Sequence, residues 1–569
     1  MLRIANCSGF YGDRMSALSE VINDGPVDVV TGDYLAELTM LILFRSALKD
    51  PTKGYASTFL TQLEGVLGTL GSTKVVVNAG GLAPAACADA VRDLASRLGV
   101  DLAVAHVTGD DLLRRVAELD LPHLDTGEPL GTRQPLTANA YLGAWGIARA
   151  LDEGAQVVIT GRVTDASLVV GPAASHFGWQ RTDFGRLAGA VVAGHVIECG
   201  TQATGGNYAF WQQEVDQPLR MGFPLAEVHE DGSCVITKHP GTGGAVTVGT
   251  VTAQLLYEIG GPHYEGPDVV TDFSSLSLAQ EGSDRVRISG ALGGPPSGKL
   301  KVALNMVGGH RNKMEFVLTG LDIEEKAALA LEGLQDAMPT TPRVLESRLV
   351  RIDKPDAPSN EQAAALLRVT VKDDDPKVVG RAFSSAAVEL ALASYPGFTL
   401  TSQPGQAMPY GVYWPALVDA AEVEQVVVHS DGQREVIPHT PPGPPLASAD
   451  VASAQTEPGQ TQRVPLGTII GARSGDKGGN ANVGLWGRTD EAADWLLNWL
   501  DEAAFRALLP EADGLPISIH RLPNLRAVNV VVHGLLGEGV AASTRFDPQA
   551  KGLGEYVRSR LVDIPVSLL

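Results

Sequence analysis

The chain has 569 residues, with 44% hydrophobic, 5% aromatic and 19% charged side chains, an ordinary folding mixture that excludes fibrous, collagen-like and globally disordered classes. Its 44 Lys and Arg against 66 Asp and Glu leave a formal net charge of −22, a field that repels nucleic-acid backbones and anionic lipid, so neither is expected as a partner. No apolar run approaches a spanning helix, the first residues lack the basic region and apolar run of a secretory signal, and Cys7, Cys87, Cys199 and Cys234 form no Cys-x-x-Cys. A cytoplasmic protein is expected.

From the start to about residue 190, β-branched runs alternate with helical periodicity, which predicts a doubly wound, mostly parallel α/β sheet. The expected strands are 2–5, 27–31, 74–77, 102–107 and 156–160, with helices at 16–22, 34–47, 85–98, 112–119 and 138–151. From 200 to 440 the pattern becomes α+β, with strands expected at 245–252 and 300–306 and helices at 324–337 and 378–393. Together 1–199 and 200–440 make one large domain. A Pro-rich linker is expected at 441–462, opening on Pro441-Pro442-Gly443-Pro444-Pro445. The remainder, 463–569, reads strand 465–472, a polar Gly/Asn loop, strand 481–486, helix 491–508, strands 517–522 and 527–532, and helix 552–561. That order predicts a small ferredoxin-like α+β domain.

Ligands of open parallel sheets bind beyond the carboxyl ends of the strands. The loop after the first strand carries Ser8, Gly9, Asp13 and Arg14; the second, Asp33 and, one helical turn on, Glu37; the third, Asn78, Gly80 and Gly81; the fourth, Asp110; the fifth, Arg162 and Asp165. Any one such loop is explained by turns and helix caps. Five on one rim, with two arginines that no cap requires, point to a shared cleft. Asp13, Asp33, Glu37 and Asp165 are its candidate acids and bases. Arg14 and Arg162, with Ser8, Gly9, Asn78, Gly80 and Gly81, are candidate ligand-holding groups. Asp33 and Glu37 share a helix face and offer either an acid–base pair or two metal ligands.

Further on, His195, Glu198 and Cys199 fall within five residues, followed by a glycine-rich stretch containing Asn207. His195 is a candidate acid or base and Asn207 a candidate ligand group; if the segment is a strand, Glu198 faces away from the other two. In the small domain, Arg473, Ser474, Asp476, Lys477 and Asn480 sit among glycines in what reads as a loop that recognises an anion or polar ligand and either closes over the cleft or forms an interface beside it. The segment Gly293–Leu300 has P-loop spacing but lacks the following Ser or Thr and carries two prolines. No Gly-x-Gly-x-x-Gly opens the first helix and no Gly-x-Ser-x-Gly elbow occurs, so NAD, FAD and ATP motifs have no support.

These segments resemble the acyclic terpene utilisation AtuA family. The likeness rests on Asn6 to Arg14, Thr31 to Glu37, Asn78 to Gly81, Thr160 to Ser167 and Gly194 to Asn207 for a large N-terminal domain. Arg473 to Gly478 with Asn480-Ala481-Asn482 carry it for a ferredoxin-like C-terminal domain. The resemblance implies a place in the catabolism of branched acyclic terpenoids and a branched acyl-CoA or its acid as substrate, with a CoA moiety accommodated by loops rich in Gly and Arg. Three readings follow: a lyase, hydratase or hydrolase acting on such a small anionic substrate; a non-catalytic scaffold of a catabolic complex; and a metal-dependent hydrolase using Asp33 and Glu37. A homo-oligomer is expected.

Overall fold

The computed structural model describes residues 1–447 and 459–569, and half of the expected linker, 448–458, lies outside the described residues. Two compact units emerge: Met1–Asn305 with Tyr413–Leu569, and Met306–Val412. The first is organised on a sheet whose centre is parallel: β1 (Leu2–Asn6), β2 (Val29–Gly32), β3 (Lys74–Val77), β4 (Val104–Thr108) and β5 (Val157–Thr160). Their order is β1-β2-β3-β5-β4. Antiparallel strands extend both edges, with Pro224–Val228 on β1 and Gln425–Val428 on β4. The central strands are buried on both faces, as their unbroken Val/Ile runs require. Leu18, Phe59, Val91 and Leu94 pack on one side of the sheet in a core that includes Val30, Val75 and Val77. On the other side, helices Trp145–Asp152, Ser167–Phe177 and Phe184–Ile197 pack against one another and the sheet.

Several local expectations are corrected. Residues 245–252 do not form a strand; Val248–Leu255 is a helix, because Thr247 and Thr250 exchange side-chain and backbone hydrogen bonds in a capping box that the β-branched composition conceals. Residues 112–119 hold only a short turn of helix, Leu113–Arg115. The stretch 138–151 is divided into a strand, Thr137–Ala140, and the helix Trp145–Asp152. The stretch 378–393 is broken into a wide turn at Val378–Ala382 and the helix Phe383–Glu389, with Gly380 far from helical geometry at ψ −115°.

The C-terminal region forms a four-stranded antiparallel sheet, Ile470–Lys477, Asn480–Gly487, Ala527–Val532 and Ile517–Leu522 in that spatial order. The expected polar loop is a hairpin: Arg473 to Lys477 finish the first strand, Asn480 begins the second, and Gly478-Gly479 alone make the turn. The predicted helix 491–508 is two helices, Asp490–Trp499 and Glu502–Leu508. The unit Met306–Val412 is an antiparallel sheet with its own core of Phe316, Leu318, Leu334, Val369 and Phe383.

Candidate functional site

The carboxyl ends of β1, β2, β3 and β5 meet the end of the helix Phe184–Ile197. Asn6, the last residue of β1, donates from Nδ2 to the carbonyls of Ile197 and Glu198 at 2.6 and 2.7 Å, while its Oδ1 accepts the Ser8 N–H at 2.6 Å. A Cβ on Gly9 would lie 2.8 Å from the carbonyl carbon of Cys199, so only glycine permits this approach. Because the segment is helical, His195 and Glu198 share a face, and His195 Nδ1 lies 3.2 Å from Glu198 Oε1.

Asp33 follows β2 and is buried; its Oδ1 accepts from Asn78 Nδ2 at 2.5 Å and from the Leu35 N–H at 3.1 Å. Burial, then the nearby Asp165 charge, hold its carboxyl well above the usual range. Arg162 follows β5 and is only 4% exposed. It donates to the Leu35 carbonyl, lies 3.3 Å from Asp165 and covers the Tyr141 ring at 4.3 Å. Beside it, Lys301 sits 3.5 Å from Glu37 and over the rings of Tyr141 and Tyr413.

The opposite wall comes from the C-terminal domain. Arg473 hydrogen-bonds Gln202 and stacks on Tyr257 at 4.3 Å, and Lys477 lies over Tyr264 at 5.7 Å. Lys551 donates to Tyr257 and to Glu258 Oε1, the latter at 2.9 Å, and lies 3.6 Å from Asp476. Burial raises Asp476 to about 8 and Glu258 to about 7, the latter opposed by Lys477, and pulls Lys551 down to about 8. Glu198 is held well above its usual range by burial, Asp165 and Glu258. Two neighbours stay neutral. Burial lowers His195 to about 4 and raises the Cys199 thiol far up, the latter with help from Glu198, Glu258 and Asp33. Cys199 is therefore a poor nucleophile at neutral pH.

Several buried atoms here make no hydrogen bond within the protein, His195 Nε2, Glu198 Oε2 and Arg473 Nε among them, while His195 Nδ1 and Asp165 Oδ1 have the contacts to Glu198 and Arg162 given above. An unpaired buried polar group costs about 1–3 kcal/mol, so a cluster of them is polar capacity that a bound guest could satisfy. A surface pocket of about 470 Å³ lies at the opposite end of the helix that carries His195, lined by Thr182, Arg186, Asp231 and Ser233 among others, and gathers no such atoms.

Other sequence candidates have local duties. Asp13 accepts the Gly9 and Arg14 N–H groups and so shapes the first loop, while Arg14 pairs with Glu20 at 2.7 Å and donates to the Met221 carbonyl. Ser8 donates to the Phe10 carbonyl. A Cβ on Gly80 would fall 2.5 Å from the Thr160 carbonyl, and Gly81 has φ +51°, so both serve chain packing. Asn207 is an exposed left-handed turn residue at φ +58°. Ser474 bridges Ala550 and Gly554, and Asn480 bridges Asp125 and Gly534. Asp110 braces the fifth loop by accepting the Arg162 N–H and the Asn139 amide.

Sequence reasoning missed Glu258, Lys551, Lys301, Tyr141, Tyr257 and Tyr413. Glu258 has φ +55° and its N–H is accepted by Asn482 Oδ1 at 2.8 Å. Among the described residues, no grouping of three or more His, Cys, Asp or Glu has the arrangement of a metal centre. No described helix is long and apolar enough to cross a membrane.

Comparison with known families finds a match to the acyclic terpene utilisation family protein AtuA over residues 2–429 and to the AtuA ferredoxin-like domain over 464–563. No curated protein and no solved structure matched the chain.

Proposed function

Since this chain belongs to the acyclic terpene utilisation AtuA family, we propose that it is an enzyme of branched-acid catabolism. Its substrate is a branched acyl-CoA or the corresponding acid, and the chemistry is acid–base lyase, hydratase or hydrolase chemistry. The observation that carries this reading is the cluster of protonatable groups and unpartnered polar atoms between the two walls. A carboxyl group kept protonated near neutral pH can deliver a proton to a developing alkoxide or enolate, and a neighbour that ionises near pH 7 can take one away.

Asp33, Glu198 and Asp476 are assigned as proton donors, and Glu258, held at about 7, as the group that changes state during turnover. Arg162 with Lys301 on one wall, and Arg473 with Lys477 on the other, hold carboxylate and carbonyl oxygens. Tyr141, Tyr257 and Tyr264 fix the cations above their rings.

Thermal unfolding in the presence of branched acyl-CoAs and their free acids tests this reading. A true ligand raises the midpoint in proportion to the logarithm of its concentration, by mass action on the folded state. The expected result is a rise that grows with the logarithm of concentration for at least one branched member and none for free CoA. A panel in which no member shifts the midpoint overturns the proposal.

A further inference from the structure

The unit Met306–Val412 ends its sheet on Val344–Val350, which pairs with Ala364–Asp373 on one side and has no strand on the other among the described residues. A free edge of this length is a template for pairing, and proteins ordinarily blunt one with proline, a bulge or an inward-facing lysine. No proline, bulge or lysine lies between Val344 and Val350, and its two charges, Glu346 and Arg348, are of opposite sign; the seven pairs with Ala364–Asp373 run in unbroken register.

The sequence of this strand is Val344-Leu345-Glu346-Ser347-Arg348-Leu349-Val350. It reads nearly the same in both directions about Ser347, with the single asymmetry that Glu and Arg exchange places. We propose that this edge is a two-fold interface, on which a second copy of the chain adds its own Val344–Val350 strand antiparallel to the first, Ser347 opposite Ser347.

Two-fold symmetry makes every contact occur twice, so an interface of this kind must be self-complementary. This strand meets that condition at each position. Glu346 falls opposite Arg348 of the second copy and Arg348 opposite Glu346, giving two cross-strand pairs of opposite charge. Val344 meets Val350, and Leu345 meets Leu349. Within one chain, Arg348 already lies 3.5 Å from Glu346, so pairing adds cross-strand contacts of opposite charge to that one. An axis perpendicular to the sheet keeps faces together. Leu345 and Leu349, packed half-buried on the unit's core, then extend the same apolar face as their counterparts. Ser347, exposed at the centre of the strand, is small enough to sit on the axis without a clash. A heterologous partner would have no need of this palindrome.

Sedimentation and light scattering of the full chain, with charge reversals, test the interface. The wild type is expected at twice the chain mass of 59.7 kDa or a multiple of that. Glu346→Arg and Arg348→Glu each place like charges opposite one another and are expected to weaken association at least tenfold. The double exchange restores opposite charges and is expected to recover the wild-type assembly, which a merely misfolded single variant cannot explain. Ser347→Cys gives a second readout. Directly opposed antiparallel residues have Cα atoms about 4.5–5.5 Å apart, within the about 4.4–6.8 Å span of a disulfide, so mild oxidation should link two chains. A monomeric wild type overturns the proposal, as does an assembly that ignores both single reversals while Ser347→Cys fails to cross-link.

Discussion

Asn482 holds Glu258 in place from the other domain: its Oδ1 accepts the Glu258 N–H at 2.8 Å while its Nδ2 donates to the Leu256 carbonyl at 2.9 Å. Asn529 adds a bond from Nδ2 to the Ile259 carbonyl at 3.2 Å, and both asparagines are fully buried. Glu258 adopts a left-handed backbone that a non-glycine residue keeps only when its surroundings enforce it. The ferredoxin-like domain thus contributes a wall of the site and also sets the carboxylate that faces that wall. Replacing Asn482 with Ala is expected to cost about 3 kcal/mol of stability, because backbone groups at Leu256 and Glu258 lose their buried partners. Denaturant unfolding measures it; a change within experimental error would mean that the clamp is incidental.

Arg162 is the residue whose expected behaviour changes most between sequence and structure. As a loop-tip ligand group it would be removable with little effect on folding. Buried against Tyr141, beside Asp165 and on the Leu35 carbonyl, it is also part of the framework. Arg162→Ala is therefore expected to destabilise the fold by about 3 kcal/mol or more, since it strands a carboxylate whose cation is gone. Arg162→Lys should keep more of the stability while losing the fork geometry needed to grip a carboxylate. Unfolding curves paired with ligand titration separate the two effects, and an Ala variant as stable as wild type would contradict the buried-pair account.

The raised carboxyls make a directional statement about pH. Asp476 keeps its proton up to about 8 in the folded chain, and Glu258 up to about 7, whereas both release it near pH 4 when unfolded. Between those limits the unfolded chain binds fewer protons than the folded one, so this contribution makes stability fall as pH rises, and it levels off above the folded-state values. Asp476→Asn removes the Asp476 share. Its melting temperature is expected to exceed that of wild type at about pH 8 and to meet it at about pH 4. Melting scans across that range check the sign, and a variant less stable than wild type at the alkaline end would reverse it.

Cys199 faces the site without the character of a nucleophile. Its thiol, pushed up by burial and by Glu198, is expected to react with iodoacetamide at neutral pH at least tenfold more slowly than free cysteine. Cys199→Ser is expected to retain ligand binding. Rapid, selective alkylation of Cys199 in peptide mass spectra would instead support a thiolate.

Much of this arrangement is written locally. The five parallel strands are β-branched runs closed by Gly, Asp or Asn, and Asp33, Asn78, Arg162 and Asp165 stand directly after them, where chain direction alone brings them to one rim. What could not be read depends on distant partners. Glu258 acquires its place from Asn482, 224 residues away. Lys551, just ahead of a short helix, becomes part of the site only because Tyr257 and Glu258 come to it. Arg473 to Lys477 resemble a loop because their side chains are polar and interleaved with glycine. In the structure they form a strand whose polar face looks into a cleft instead of a core, and Gly475 is required because a Cβ there would fall 2.7 Å from the Tyr257 ring. Asp13, Arg14 and Ser474 have the right chemistry, but nearer neighbours engage them first.

The central claim is that the cleft performs acid–base chemistry on a branched acid, and product analysis by mass spectrometry tests it most directly. Wild type, Asp33→Asn and Glu258→Gln would each be incubated with the branched acyl-CoAs and free acids. Wild type is expected to convert at least one of them, both variants to lose about a hundredfold or more of that rate, and ligand-induced thermal shifts to persist in the variants. Conversion that survives both substitutions undiminished, or a panel that wild type leaves entirely unchanged, would contradict it.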